Sequence, residues 1–418
     1  MSEWQEYNIG DLCDGIYDGP HATPKKTDLG PIFLGISNLS GGRIDLSNAE
    51  HLSEESFKKW TRRIIPQAND VVFSYETRLG EAALIPNGLR CCLGRRMALM
   101  RPNLEKVDPQ FLLYAFLSPS FQETICARTI HGSTVNRIAL TEFPSYPLKI
   151  PSLTIQKNIS STLHNLDAKI ENLRSQNQTL EKIAQTLFNY WFIDFEFPNE
   201  FGEPYKSSGG EMVTSELGDI PVGWRVGKIG DEVETLGGGT PSTTESSYWE
   251  AGEIPWYSPT DLTRQKTLFS IDSEKKITSL GLQKSSAKLF SKYSLLLTSR
   301  ATIGEVTINT KEACTNQGFI TIIPNQAFSI YFLHRWLLTQ IDLIKMLASG
   351  STFPEISKTN FRSIDFLVPA KEVLKEYDIL IQPIYKKMET NIFQIQTLTK
   401  TRNILLPKLM SGQIRVAE

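Results

Sequence analysis

From residue 159 onward the apolar positions advance in steps of four and three. Ile159, Leu163, Leu166, Ile170, Leu173, Asn177, Leu180, Ala184, Leu187 and Trp191 form one such series. Tyr377, Ile381, Ile384, Met388, Asn391, Ile395, Leu398, Arg402, Leu405 and Leu409 form a second. A sustained spacing of 3.5 residues is the coiled-coil pattern. Each series follows a proline, Pro151 or Pro369. Each predicts a helix of about 35–40 residues, roughly 55 Å long. Burying one Leu or Ile is worth about 1.5–3 kcal/mol, so neither seam is expected to stay in water. The alternative is two separate helices, each lying on its own domain; the matched registers and the length of the seams favour the pair. Asn177 and Asn391 fall on the seams, where a buried Asn restricts register and partner choice. Pro383 interrupts the second pattern and is expected to bend that helix near its start.

Outside these helices the chain alternates short apolar runs with turn signals. Pro31-Ile32-Phe33-Leu34, Asp70-Val71-Val72-Phe73 and Ala82-Ala83-Leu84-Ile85 read as strands. A helix is expected from Asp108, with Pro109 in its first turn. The second half repeats this plan. Gly132-Ser133-Thr134 returns as Gly350-Ser351-Thr352, and at the same offset Ile138, Thr141, Phe143, Ser145 and Pro151 meet Ile356, Thr359, Phe361, Ser363 and Pro369. Trp4 matches Trp224, Pro31 matches Pro255, and Gly80-Glu81 matches Gly304-Glu305. This period is far longer than the 20–50 residues of a solenoid unit; it is a whole domain plus a helix. The expected architecture is α+β, with two similar globular domains separated by two long helices that form an antiparallel coiled coil, related by a pseudo-two-fold axis. The domains divide as 1–151 and 223–369, the helices as 152–196 and 370–412, and 197–222, rich in Pro, Gly and Ser, reads as a linker. Two copies of one binding surface suggest a target that is itself bipartite.

Composition narrows the chemistry. No run approaches the roughly 20 apolar residues of a membrane helix, and the polar, acidic start Met1-Ser2-Glu3-Trp4 is not a signal peptide. A cytoplasmic location is the expectation. The five cysteines have no C-x-x-C spacing and the five histidines are scattered, so a disulfide framework or metal site is not expected. The net charge of −2 lacks the basic bias usual in nucleic-acid binders. Asp261 with Glu274-Lys275-Lys276 has the outline of a nuclease metal motif, but the repeat lacks it around Ser37-Asn38-Leu39. Gly237-Gly238-Gly239-Thr240-Pro241-Ser242 lacks the lysine of a phosphate loop. No Asn-Pro-Pro-Tyr type methyltransferase motif is present.

Four local features carry a family resemblance. Trp191-Phe192-Ile193-Asp194-Phe195-Glu196 closes the first long helix, and Leu405-Leu406-Pro407-Lys408-Leu409-Met410-Ser411-Gly412 closes the second. Gly237 to Ser242 follows soon after Gly223-Trp224, echoed by His21-Ala22-Thr23-Pro24. The duplicated Gly-Ser-Thr block ends each globular half. Taken in this order, over essentially the whole chain, these features resemble the specificity subunit of type I restriction-modification systems. The resemblance implies that each globular half is a target recognition domain reading one half of a split site in double-stranded DNA. The helices would act as the spacer. Two methyltransferase (M) subunits would bind around them and supply the S-adenosylmethionine chemistry, and a separate motor-nuclease (R) subunit would cut. This chain would bind no cofactor and hold no active site.

Base reading needs hydrogen-bonding side chains on exposed loops. The first candidate loop follows the third strand of each repeat and offers Ser74, Tyr75, Thr77 and Arg78, and Ser299, Arg300 and Thr302. The second follows Gly-Ser-Thr and offers Thr134, Asn136 and Arg137, and Thr352 and Lys358. Lys25-Lys26, Lys58-Lys59 with Arg62-Arg63, and Arg95-Arg96 could meet phosphates. The halves diverge strongly at 41–63 and 281–292, which would let them read different sequences. Two-fold readers place their halves about one helical turn of DNA, roughly 34–36 Å, apart. Adding a heptad to both helices should therefore change the unread spacer and leave both half-sites intact. The rival reading is a coiled-coil scaffold for protein partners, which would show no split DNA consensus.

Overall fold

The computed structural model describes residues 4–132, 135–350 and 354–416. The chain forms two compact units, Met1–Ile170 with Thr397–Glu418, and Glu171–Gln396. The division falls inside both long helices, Leu153–Phe192 and Lys371–Met410, so each helix contributes residues to both units.

In the first unit a four-stranded antiparallel sheet runs in the order Cys13–Asp18, Met97–Pro102, Val71–Ser74, Ala82–Leu84. Successive strand residues point to opposite faces. Val71 and Phe73 enter one core with helix Pro109–Leu117, while Val72 enters another with Leu34 and Leu99. Burial on both faces explains the unbroken apolar run after Asp70. Asp108 caps the helix by accepting from the Phe111 N–H at 2.9 Å, and Ser118 caps the next, Pro119–Ala127. A second sheet pairs Lys26–Leu34 with Glu50–Leu52 (antiparallel) and Cys91–Leu93 (parallel). Strand Gln5–Asn8 pairs with Pro147–Ile150 just before the long helix.

The second unit repeats this plan. Its sheet order is Glu234–Gly237, Phe319–Ile323, Leu295–Thr298, Val306–Asn309, with Phe269–Ser270 added at the edge. Leu295 and Leu297 face one core and Leu296 the other, as Val71, Phe73 and Val72 do. Arg225–Lys228 pairs with Asp365–Val368. The expected linker is folded: Phe197 stacks on Tyr205 and Trp224, and Met212–Ser215 with Gly218–Pro221 makes a hairpin.

The long helices pair within each unit. In the first, Ile159 and Leu163 share a core with Leu409 and Met410, and Asp167 bonds Arg402 at 2.8 Å. In the second, Ala184, Phe188 and Trp191 pack with Tyr377, Ile381 and Tyr385. Residue numbers rise along one helix as they fall along the other, so the pairing is antiparallel. Asn391 donates to Asn177 Oδ1 at 2.8 Å, and Asn177 donates to the Met388 carbonyl at 3.3 Å. The second helix runs unbroken through Pro383. Ile379, whose carbonyl would lose its partner to Pro383, lies on the exposed face.

Candidate nucleic-acid interface

Strand Val71–Ser74 leads into a loop that takes left-handed backbone at Thr77 (φ 68°) and Gly80 (φ 83°). Next to it lies the hairpin of Thr129–Ile130 and Arg137–Ile138, which carries Gly132. Backbone bonds join the two loops. The Thr77 N–H donates to the Asn136 carbonyl at 3.3 Å, the Ile138 N–H donates to the Tyr75 carbonyl at 2.8 Å, and Glu76 bridges Arg137. The second unit reproduces this bond for bond. The loop after Leu295–Thr298 is left-handed at Ala301 (φ 62°) and Gly304 (φ 99°). The Ala301 N–H donates to Pro354 at 3.2 Å, the Ile356 N–H donates to Ser299 at 3.0 Å, and Arg300 bridges Glu355. Two loops that the sequence offered as separate candidates thus form one platform in each half. Gly80 is required twice over: its φ is one L side chains rarely adopt, and a Cβ there would fall 2.0 Å from Gln122 Oε1.

Three of the expected contact residues are not available. Ser74 is buried and donates to the Glu76 carbonyl at 2.9 Å. Tyr75 is buried, and burial pushes its phenol up to about 12. Ser299 is also buried. Ser74 ends a central strand and is paired there with Met97, while the hairpin bonds directly to the Tyr75 and Ser299 carbonyls and lies against those two residues. All three side chains lie within the platform. Thr77, Arg78, Asn136, Arg137, Arg300, Thr302 and Lys358 are exposed. Thr134 and Thr352 lie outside the described residues. Arg78 is tied down, donating to the Ile36 carbonyl of a neighbouring segment at 3.3 Å and to Glu81 at 3.2 Å. Thr77 Oγ1 accepts from Arg96 at 3.1 Å. Asn136 Oδ1 lies 3.3 Å from His131 Nδ1.

The flanking cations divide. Lys25 is exposed, while Lys26 pairs with Glu50. Lys59, Trp60, Arg62 and Arg63 line a cleft of about 260 Å³ with Asp18 and Leu93. Lys59 sits over the Trp60 ring, and Arg63 pairs with Asp18 at 2.6 Å. The cleft adjoins the platform: the Gly19 N–H donates to the Met97 carbonyl at 2.8 Å and the Tyr75 N–H to the Arg96 carbonyl at 3.2 Å.

The type I restriction modification DNA specificity domain matches residues 1–182 and again 221–404. The chain belongs to this family. It is 28% identical over 424 residues to the type I restriction enzyme MjaIX specificity subunit of Methanocaldococcus jannaschii, covering 94% of this chain and 93% of that one. It is 26% identical over 476 residues to the HindI specificity subunit of Haemophilus influenzae, covering 99% and 100%. Its fold is similar to that of the crystal structure of a type I restriction-modification S subunit from M. genitalium, with a TM-score of 0.61 at 17% identity over 97% and 96% of the two chains.

In this specificity-family chain, the residues with an enzymatic outline have structural work instead. Asp261 Oδ2 accepts from the Ser258 N–H at 2.8 Å and hydroxyl at 2.7 Å, and Oδ1 accepts from the Glu274 N–H at 2.8 Å. Glu274 pairs with Arg264 at 2.7 Å. Among the described residues no cluster of three or more His, Cys, Asp or Glu could hold a metal. The Gly237–Gly239 run lets backbones meet: a Cβ on Gly238 would fall 2.0 Å from the Asn316 carbonyl, and the Gly239 carbonyl accepts from Trp256 Nε1 at 2.9 Å. Burial pushes the Cys13, Cys91, Cys92 and Cys314 thiols up to about 12, which leaves them un-ionised at neutral pH.

Sequence reasoning passed over Glu76 and Glu355, the acidic members of the two bridged pairs. It also treated Arg78 and Arg300 alike, although they occupy different places. By the alignment of Gly80 with Gly304, Arg78 corresponds to Thr302 and Arg300 to Glu76. The repeat offsets already contained that signal.

Proposed function

We propose that this chain is the non-catalytic DNA-recognition subunit of a type I restriction-modification complex. Each globular half reads one half of a bipartite site in duplex DNA. The observation that carries this reading is the two-loop platform, built with the same backbone bonds in both halves but presenting different exposed side chains. A constant frame with variable side chains is what two readers of unlike sequences need. Each long helix contributes to both units, and its length is proposed to set the unread spacer. The chain works with methyltransferase and motor-nuclease subunits; two methyltransferase subunits match the two-fold repeat. S-adenosylmethionine is proposed to bind on the methyltransferase, not here. No helix among the described residues is long and apolar enough to cross a membrane, and a DNA substrate suits a cytoplasmic place of work.

The test is to co-express the full chain with its methyltransferase and map methylated sites across a genome. One split consensus with a fixed spacer is expected. Methylation that does not depend on this chain, or a consensus that is not split, would overturn the reading.

A further inference from the structure

The internal repeat gives each residue of one platform a counterpart in the other. Along the strand-end loop Gly80 aligns with Gly304, which sets Glu76 against Arg300. Along the hairpin Gly132 aligns with Gly350, which sets Arg137 against Glu355. These four residues are the two bridged pairs, Glu76 with Arg137 and Arg300 with Glu355. Each platform therefore holds one arginine opposite one glutamate, and the two residue types have changed places between the halves.

Directly opposed residues on paired strands hold their Cβ atoms about 4.5–5.5 Å apart on one face. Arg300 Nε lies 3.7 Å from Glu355 Oε2, with both side chains nearly half exposed (47% and 44%). That distance exceeds a hydrogen bond, and an exposed pair of this kind is held weakly. Both groups are free to turn to a ligand. In the first unit Arg137 is exposed and has no ion pair among the described residues. Glu76 makes an ion contact through Oε2 with Arg96 Nε at 3.2 Å, and its side chain is about a fifth exposed.

An arginine beside a carboxylate is a poor receptor for a phosphate, which the carboxylate repels. It matches the major-groove edge of one G·C pair: arginine donates to guanine O6 and N7, and the carboxylate accepts from cytosine N4. We propose that Arg300 with Glu355 reads one G·C pair in the second half-site, and that Arg137 with Glu76 does so in the first. Because the arginine comes from the strand-end loop in one half and from the hairpin in the other, the guanine lies on opposite strands relative to the two platforms. This rests on the DNA-recognition reading above and names the base pair that one part of each platform addresses.

The experiment uses the full chain with its methyltransferase. The charge-exchanged variant, Arg300→Glu with Glu355→Arg, should turn one G·C pair of the second half-site into C·G, while the first half-site and the spacer stay as they were. Glu355→Gln, which keeps shape and removes charge, should relax that one base pair roughly 10- to 100-fold. Its binding is measured by competition with duplexes in which each G·C pair of the second half-site is reversed in turn, so the result stands even if the exchanged variant fails to fold. An unchanged consensus in a methylating exchanged variant overturns the proposal. So does a loss in Glu355→Gln spread evenly over the half-site, or a second half-site without any G·C pair. Those outcomes leave the recognition reading intact, whereas a wild-type complex with no split consensus overturns that reading itself.

Discussion

Removing the Asp167 carboxylate should destabilise the first unit more than any exposed charge would. Asp167 Oδ2 accepts from the Tyr114 hydroxyl at 2.7 Å, and Oδ1 accepts from Arg402 Nη1 at 2.8 Å. Tyr114 reaches it from helix Pro109–Leu117 and Arg402 from the second long helix, so one carboxylate fastens three elements. Hydrogen bonds to a charged group are worth about 1.5–3 kcal/mol each. The Asp167 and Arg402 side chains are a quarter and a fifth exposed, which lowers the ion-pair share. Asp167→Ala also strands a buried tyrosine hydroxyl. The expected cost is about 2–3 kcal/mol, against about 1 kcal/mol for Tyr114→Phe. For a unit of this size each kcal/mol shifts the midpoint by roughly 2–4 °C, so Asp167→Ala should melt about 4–12 °C lower by calorimetry. The decisive measurement is the double-mutant cycle with Arg402→Met. A coupling near 1 kcal/mol is expected; strict additivity, within about 0.3–0.5 kcal/mol, would refute the claim that these groups act together.

Three further outcomes follow from particular contacts. His334 is buried with its Nδ1 2.6 Å from the Tyr385 hydroxyl, and desolvation, then Arg335, pushes its imidazole down to about 3 from 6.5. The unfolded chain takes up that proton first, so stability present above pH 6.5 is lost as pH falls toward 3, at up to about 1.4 kcal/mol per pH unit; His334→Gln should flatten this slope in denaturant titrations, and an unchanged slope would discredit it. Lys59→Ala or Arg62→Ala should each lower the slope of log affinity against log salt by about one and leave the consensus alone, and a changed consensus would mean the cleft reads bases. Gly238→Ala must push its Cβ against the Asn316 carbonyl, at a cost of about 1–3 kcal/mol, and a melting point within a degree of wild type would contradict the close approach.

The sequence showed the repeat, the two helices and the loops because each leaves a local mark: a 3.5-residue period, a Gly-Ser-Thr block, a strand followed by Gly80 or Gly304. It could not show that the two loops of each half are one platform, because the bonds between Thr77 and Asn136 or Ala301 and Pro354 join segments far apart in the chain. Nor could it separate buried from exposed polar residues there. Ser74 and Tyr75 look like reading groups in the sequence, but strand pairing with Met97 and the hairpin bond to the Tyr75 carbonyl leave both buried. The buried polar contacts on the helices were hidden for another reason. Asp167 and Arg402 occupy the places that Tyr385 and Ala184 take in the other half, while Tyr114 gives way to Arg335. The position repeats and its chemistry does not, so aligning the halves preserves the frame and conceals the side chains that fasten it.

That difference between frame and side chain bears on the chain's charge. A net charge of −2 looks wrong for a protein that must hold DNA. On the platforms, however, arginines stand beside carboxylates: Arg78 pairs with Glu81, Arg96 with Glu76 and Arg300 with Glu355, while Arg137 faces Glu76 across the backbone bridge. Affinity for arbitrary DNA comes from phosphates neutralised by unpaired cations, and arginines beside acids contribute little to it. Base edges are different, since they offer donors as well as acceptors and can engage the carboxylate and the arginine together. A platform of matched charges therefore holds weakly to the wrong sequence and gains only when both partners find a base. The missing bulk attraction has to come from elsewhere, and the proposed methyltransferase subunits are where a compensating basic surface belongs.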